Sequence, residues 1–213
     1  TRNSKNGWTI SEAGMAQLDD DIGIVLAKLK ELGIDENTIV VFTTDNGTEV
    51  FTWPDGGQTP FAQSKGTIME GGFRVPAIIR WPGQVKLGSV ENGLISGLDW
   101  FPTLMAAAGN PNITDQLLKG VQLGDRTYKN HLDGYNQMDL ITGKGPSKRH
   151  EIFYFGGASL GALRLDDFKF TFFQQPYGWP GEKITTDMPM MVNIRQDPFE
   201  RTPSIRGESP NAS

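Results

Sequence analysis

An amphipathic helix near the start of the chain is the first element that the hydrophobic pattern predicts. Six apolar residues recur at intervals of three and four, as on one helical face: Met15, Leu18, Ile22, Val25, Leu29 and Leu32. Thr9 followed by Glu12 matches a capping box, in which each side chain accepts a hydrogen bond from the other residue's backbone amide. Gly33 suits the position just beyond a helix end. The pattern therefore predicts a helix that starts after Thr9 and ends before Gly33.

A short apolar run from Ile39 to Thr43 follows this helix. The run does not alternate with polar residues, which is typical of a strand that is buried on both faces in a parallel sheet. A helix followed by a strand is half of a βαβ unit. Ligands of open α/β sheets bind beyond the carboxyl ends of the strands. We therefore expect the functional site in the segment after Thr43.

The pattern predicts three further features in the first half of the chain. Residues 44–72 form one long loop, and a loop of this length in a compact domain is usually functional or disordered. A second strand is predicted from Phe73 to Trp81, with Pro76 tolerated near its start or at an edge. Asp99 is the predicted N-cap of a helix that runs to about Ala108.

The second half of the chain has a different pattern. Residues 110–135 are polar and predict a loop, and Tyr135 to Ile141 predicts a short helix. Three strands are predicted after it, namely Glu151–Phe155, Leu160–Leu165 and Phe168–Phe173, with a tight turn at Asp166-Asp167 and with Phe168, Phe170 and Phe172 alternating with Lys169 and Thr171. This pattern predicts a small antiparallel sheet with one solvated face, followed by a polar tail from Thr202.

We therefore predict an α/β protein in two parts. Residues 1–109 are expected to belong to an α/β core, and residues 110–213 to a small antiparallel-sheet subdomain with a polar tail.

Composition and charge exclude several classes of function. The chain has 213 residues and a net charge of −5, which argues against a nucleic-acid partner. It contains no Cys, so disulfides, zinc–thiolate sites and a thiol nucleophile are excluded within it. It also lacks an apolar run of about 18 residues, so the sequence predicts no membrane span.

Candidate chemistry is concentrated in the loop after the first predicted strand. Asp45 and Asn46 offer a carboxylate and an amide oxygen, which are hard ligands suited to Ca²⁺ or Mg²⁺. The same residues before Gly47 also fit an ordinary turn. Calcium takes about six to eight oxygens, so other ligands would have to complete such a site.

Lys65 lies in the same loop, between Ser64 and Gly66, and suits anion binding. The alternative interpretation is a solvated surface lysine. Glu70 and Arg74 are candidates for a structural ion pair around a tight bend. His131 and His150 lie in polar surroundings and are expected at the surface.

Several segments, in this order, resemble the sulfatase family of the alkaline-phosphatase-like superfamily. They are Ile39–Gly47, Ser64–Thr67, Glu70–Pro76, Asp99–Leu104 and Asn193–Glu200. The resemblance implies part of an alkaline-phosphatase-like mixed sheet with helices, followed by the small antiparallel sheet. It also implies that Asp45 and Asn46 are Ca²⁺ ligands, and that Lys65 contacts the sulfate and acts in substrate binding and catalysis.

The nucleophile of that family is missing from this chain. Sulfatases use a formylglycine made from Cys or Ser in a Cys/Ser-x-Pro-x-Arg motif, and no Ser here begins such a motif. The resemblance implies that the formylglycine and the remaining metal ligands lie upstream. We therefore expect a C-terminal portion of an arylsulfatase-like enzyme, inactive alone, with a periplasmic or secreted location.

The expected function is hydrolysis of sulfuric esters of a small molecule or glycan. In the intact enzyme, the resemblance implies that hydrated formylglycine attacks sulfur while Ca²⁺ and Lys65 neutralise the sulfate oxygens. One alternative is a non-catalytic module that binds calcium or an anion. Another is a phosphate or phosphonate ester hydrolase of the same superfamily. Those relatives often carry His after the strand-end Asp, and Asn46 argues against them.

Overall fold

The computed structural model describes residues 6–50 and 57–201. The predicted polar tail from Thr202 lies outside the described residues, as do residues 51–56 of the predicted loop. The helices are α1 (Ile10–Glu31), α2 (Glu70–Phe73), α3 (Trp100–Ala107), α4 (Ile113–Lys119) and α5 (Met138–Ile141). The strands are β1 (Val40–Thr43), β2 (Ala77–Arg80), β3 (Val121–Leu123), β4 (Arg126–Tyr128), β5 (Glu151–Gly156), β6 (Ser159–Leu165), β7 (Phe168–Gln174) and β8 (Ile184–Asn193).

The described residues form two compact units. One unit contains the residues up to Pro82 together with those from Phe153 onward, and the other contains Gly83–Ile152. The predicted boundary between residues 109 and 110 separates an α/β core from a C-terminal subdomain, which is a different division from these two units. It stays a prediction. None of the helices in the described ranges is both long enough and apolar enough to cross a membrane.

Helix α1 confirms the predicted cap and end. The Thr9 Oγ1 atom accepts a hydrogen bond from the Glu12 amide at 3.2 Å, and the Glu12 carboxylate accepts one from the Thr9 amide at 2.8 Å. Gly33 has a φ of 67° just beyond the helix. Most of the apolar face is exposed, however, since Met15 is 63% and Val25 58% accessible. The described residues thus leave the apolar face of α1 largely uncovered.

Strand β1 corrects the expectation of a parallel sheet. It pairs with β2 in the antiparallel direction, with Val40 opposite Arg80 and Thr43 opposite Ala77. Its second half is exposed rather than buried on both faces. A continuous apolar run predicts a strand but does not determine the direction of its partner, and the expected parallel neighbour is absent from the described residues. Strand β2 also begins later than predicted, because residues 70–73 form the single helical turn of α2.

The C-terminal antiparallel sheet is confirmed. Its four strands lie in the order β5-β6-β7-β8. Leu165 pairs with Phe168, so Asp166-Asp167 is a two-residue turn, and Asp166 has a φ of 50°. Strand β8 was not predicted from the sequence, because its apolar residues do not alternate regularly and Pro189 interrupts them.

The unit formed by residues 83–152 corrects two further expectations. The predicted loop 110–135 contains α4 and the β3–β4 hairpin. Asp99 makes no side-chain cap at the start of α3. Its carboxylate is buried and instead pairs with the Arg149 guanidinium, with Nη2 and Oδ1 2.7 Å apart. His131 and His150 are exposed, as predicted.

Candidate functional site

The three residues predicted to carry chemistry line one cavity. Asp45, Asn46 and Lys65 lie around a space of about 350 Å³, which is also lined by the aromatic residues Phe73, Phe155 and Trp179. All of these residues belong to the unit that contains β1 and the four-stranded sheet. The cavity therefore combines polar groups from the loop after β1 with an aromatic wall.

The loop after β1 presents the two oxygen-bearing residues. The Asn46 Nδ2 amide donates a hydrogen bond to the Gly47 carbonyl at 2.9 Å. Because this bond uses the amide nitrogen, the Oδ1 oxygen stays available as a ligand. The Thr43 hydroxyl donates to the Pro76 carbonyl at 2.9 Å and holds the end of β1 against the chain entering β2. Two neighbouring oxygen donors are thus fixed at the end of a strand.

Gly47 allows this loop to pack directly on α2. Its amide donates to the Gly72 carbonyl at 3.0 Å. A Cβ atom at position 47 would lie 1.6 Å from the Gly71 carbonyl oxygen. Gly71 and Gly72 are equally constrained, because a Cβ at either position would lie within 2.5 Å of a backbone oxygen. The loop after β1 and helix α2 therefore both need glycine at these positions for their backbones to come into close contact.

We expect Gly47→Ala to lower the free energy of unfolding by about 2–3 kcal/mol, because the new methyl group overlaps a backbone carbonyl that cannot rotate away. Urea denaturation of the 213-residue chain measures the change. Gly23→Ala is the matched control. Gly23 lies in α1 with open space around its Cβ position, so this substitution should stabilise the chain by about 1 kcal/mol. Equal stability of Gly47→Ala and wild type would contradict the close contact.

Lys65 is partly buried beside the cavity. Its backbone amide donates to the Thr48 carbonyl at 2.9 Å. Its ammonium lies 3.5 Å from the Glu49 carboxylate and 5.7 Å from the centre of the Trp179 ring. The side chain is 38% exposed, so it is neither a free surface lysine nor a fully desolvated one. This position leaves the ammonium within reach of an anion that enters the cavity.

A buried ionic network lies next to the cavity, and the sequence pattern did not predict it. Lys169 on β7 is fully buried, and its ammonium lies 2.7 Å from Glu200 and 3.3 Å from Glu70. It also donates to the Ile68 carbonyl at 2.8 Å. The Tyr154 hydroxyl donates to the Glu70 carboxylate at 2.8 Å. One ammonium thus lies between two buried carboxylates.

This network fixes the start of α2. The Glu200 carboxylate accepts a hydrogen bond from the Glu70 backbone amide at 2.6 Å. Burial raises the pKa of the Glu200 carboxyl, although the Lys169 charge opposes the change. Burial and the neighbouring Glu70 carboxylate hold the pKa of Tyr154 well above its usual value. Because α2 in turn contacts Gly47, the network supports the loop that presents Asp45 and Asn46.

The network corrects two sequence-based expectations. Lys169 and Thr171 lie on the buried side of β7, whereas Phe168 is 41% exposed, so the alternation was assigned to the wrong faces. The reason is that two carboxylates from other segments compensate the lysine charge. Glu70 pairs with Lys169 rather than with Arg74, whose guanidinium lies 4.6 Å from the centre of the Phe61 ring. The alternation of apolar and polar residues in β7 is visible in the sequence, but the acidic partners of Lys169 lie far from it along the chain.

Asp45 and Asn46 fit part of a calcium site. Both side chains carry hard oxygen ligands and both line the cavity. Within residues 6–50 and 57–201, no group of three or more His, Asp or Glu side chains lies together in a way that could hold a metal ion. The described residues therefore supply two oxygen-bearing side chains, and a complete calcium site needs further oxygens.

Comparisons with known proteins agree with the motifs around this cavity. Residues 12–110 match the family model described as sulfatase. The chain is 31% identical over 209 residues to N-acetylgalactosamine-6-sulfatase of Mus musculus, an alignment that covers 88% of this chain and 37% of that protein. It is 31% identical over 205 residues to arylsulfatase A of Homo sapiens, with coverages of 87% and 37%. The chain thus spans little more than a third of the length of these curated relatives.

Solved structures give the same result. The crystal structure of the PsFucS1 sulfatase from Pseudoalteromonas sp. matches this chain with a TM-score of 0.70 and 32% identity. The matched region covers 88% of this chain and 36% of the PsFucS1 chain. The structure of Ps i-CgsB in complex with k-i-k-neocarrahexaose has a TM-score of 0.66 and 26% identity, with coverages of 92% and 39%. The chain therefore belongs to the sulfatase family and matches the C-terminal part of its relatives.

Proposed function

We propose that this chain is the C-terminal part of an enzyme that hydrolyses sulfate esters. The observation that carries the proposal is that Asp45, Asn46 and Lys65 line one cavity in a chain of the sulfatase family. A positive charge and two oxygen ligands at one cavity can hold a sulfate group and a cation beside it. Placing fixed charges where negative charge develops is commonly the largest contribution to such catalysis.

Each of the three residues has a defined role in this proposal. Lys65 binds a sulfate oxygen and neutralises part of its charge. Asp45 and Asn46 contribute oxygen ligands to Ca²⁺, which supplies additional positive charge to the sulfate when bound. The nucleophile is a formylglycine that comes from a Cys/Ser-x-Pro-x-Arg motif outside this chain. Glu70, Lys169 and Glu200 hold the cavity loop in place rather than reacting.

The proposed substrate is a sulfated sugar. N-acetylgalactosamine-6-sulfatase and the neocarrahexaose complex of Ps i-CgsB both name a saccharide. Their similarity to this chain extends over the segments that carry the cavity, since each covers at least 88% of it. A sugar sulfate is therefore preferred to other sulfate esters, and an aryl sulfate serves as a convenient test substrate.

We further propose that the rest of the sulfatase core covers the apolar surfaces that the described residues leave exposed. Met15 and Val25 on α1 and Ile78 on β2 are each more than half exposed. The curated relatives are nearly three times as long as the matched segment. Additional core of this size supplies apolar area to bury these side chains, whose burial stabilises by about 25 cal/mol per Å².

The test is an assay of the protein encoded by the complete reading frame. We expect turnover of para-nitrophenyl sulfate that requires Ca²⁺, together with a Cys/Ser-x-Pro-x-Arg motif upstream of Thr1. Faster turnover of para-nitrophenyl phosphate would instead favour the phosphate ester hydrolase. The 213-residue chain alone should leave both substrates unchanged, because electrostatic groups without a nucleophile give only residual catalysis.

We expect the 213-residue chain alone to bind Ca²⁺ only weakly, with a dissociation constant of about 1 mM or above, because two side-chain ligands cannot replace the hydration shell of the ion. Isothermal titration calorimetry measures this affinity. Asp45→Ala is the matched variant, and it should abolish the weak signal. Micromolar binding that is lost in Asp45→Ala would instead favour a self-contained calcium-binding module.

A further inference from the structure

The aromatic wall of the cavity includes Trp179, which lies in the segment between β7 and β8. Trp179 is 49% exposed although its side chain is large and mostly apolar. Its ring lines the same cavity as Lys65, and the Lys65 ammonium lies 5.7 Å from the ring centre. Ligand pockets commonly combine aromatic walls with a few charged groups that set orientation.

Gly66 allows the Trp179 ring to lie directly against the backbone next to Lys65. A Cβ atom at position 66 would lie 2.3 Å from the indole Cγ, so only glycine accommodates the ring there. Gly66 also has a φ of 82°, a conformation that other residues rarely adopt. The residue next to Lys65 therefore allows the ring to approach the anion-binding side chain closely.

Hydrogen bonds from one buried glutamine hold the segment that carries Trp179. The Gln175 Nε2 amide donates to the Trp179 carbonyl at 2.8 Å and to the Gly181 carbonyl at 3.0 Å. The Gln175 carbonyl in turn accepts from the Gln63 side chain at 3.0 Å. This last bond connects the Trp179 segment with the loop that carries Lys65. The segment that carries the aromatic ring is thus held in place before any ligand arrives, which lowers the entropic cost of binding.

We infer that Trp179 recognises the alcohol part of the ester by stacking on the apolar face of a sugar ring. This inference rests on the proposed function, because it requires the sulfate group to be held at Lys65. A sulfate oxygen that bonds to the ammonium leaves the attached alcohol in the same cavity, beside the indole. The ring contributes a flat apolar surface that recognises the C–H face of a pyranose, and it thereby determines specificity for the substrate.

Saturation-transfer NMR tests this inference on the protein encoded by the complete reading frame, with the formylglycine-forming Cys or Ser replaced by Ala, because it detects millimolar binding without turnover. The probe is a methyl galactoside sulfated at its primary hydroxyl, and the unsulfated methyl galactoside is the control ligand. We expect the sugar ring C–H protons to receive the strongest transfer in the wild type. Trp179→Ala should lower this transfer about fivefold, as expected for loss of one aromatic contact, and Trp179→Phe should keep most of it.

The outcomes separate failure of this inference from failure of the proposed function. Transfer that depends on the sulfate and on Lys65 but is unchanged in Trp179→Ala would overturn the stacking role and leave the proposed function intact. Equal transfer from the sulfated and unsulfated sugars, unaffected by Lys65→Ala, would contradict sulfate recognition itself. Absence of transfer in the wild type would also overturn the stacking role. Thermal melts of each variant establish that the chain is folded in every comparison.

Discussion

Lys169→Met is expected to destabilise the 213-residue chain by about 3–5 kcal/mol, the usual cost of removing one partner of a buried ion pair. The substitution removes the ammonium and leaves Glu70 and Glu200 facing each other in a buried environment. Methionine approximates the length of the lysine stem, so lost packing contributes little. Urea denaturation at neutral pH measures the difference in the free energy of unfolding.

The pH dependence identifies the cause of this loss. Burial already raises the pKa of Glu200 in the wild type, and loss of the Lys169 charge should raise it further. A carboxyl whose pKa is higher in the folded state binds more protons there, so it favours folding at low pH and loses this effect as the pH rises through the folded pKa. The Lys169→Met defect should therefore be smallest near pH 4 and grow towards neutral pH.

Lys28→Met is the control for this experiment. Lys28 also forms an ion pair, with Glu31 at 2.7 Å, but both side chains are more than half exposed. Such a surface pair contributes about 0–1 kcal/mol, so this variant should unfold almost like the wild type. A defect in Lys169→Met that is independent of pH would contradict the ionic explanation and point to packing alone.

Lys65→Ala is expected to lower kcat/KM of the complete enzyme by the equivalent of about 2–4 kcal/mol, with kcat itself reduced. The reason is that the ammonium interacts more strongly as charge develops on the leaving oxygen and the sulfonyl group. Lys65→Arg should not restore the rate, because a planar guanidinium does not replace a compact charge. Steady-state kinetics with para-nitrophenyl sulfate measures both constants.

An exposed lysine provides the comparison for Lys65. Lys119 lies at the end of α4 on the surface, and Lys119→Ala should change kcat/KM by less than about 0.5 kcal/mol. Thermal melts would show that all variants are folded. A rate near that of the wild type in Lys65→Ala would remove this residue from the site and weaken the proposed sulfatase chemistry.

Features that depend on neighbouring residues could be predicted from the sequence. The Thr9–Glu12 capping box and the Asp166-Asp167 turn each involve residues at most a few positions apart. Their geometry is therefore determined by local hydrogen bonds and backbone preferences. The cavity residues Asp45, Asn46 and Lys65 were also found, because they lie in one loop and in motifs that resemble a known family. Their proposed roles stay predictions.

Features that depend on distant residues could not be predicted in this way. Lys169 and Glu70 are separated by 99 residues. The alternation of residues in β7 does not indicate that a carboxylate lies on the buried face of this strand. A lysine in an alternating strand is normally solvated, so the usual rule assigns it to the wrong face. The direction of the β1–β2 pair is likewise a property of the folded chain rather than of either strand.

The location of Glu200 matters to anyone who shortens, tags or fuses this chain. The last strand in the described residues ends at Asn193, and a cloning boundary chosen from the secondary structure alone would fall soon after it. Both carboxylate oxygens of Glu200 are nevertheless used, one by the Lys169 ammonium and the other by the Glu70 amide. A boundary upstream of this residue would delete a counter-ion of Lys169 while leaving all of the strands in the described residues intact. Junctions should therefore be placed after Glu200.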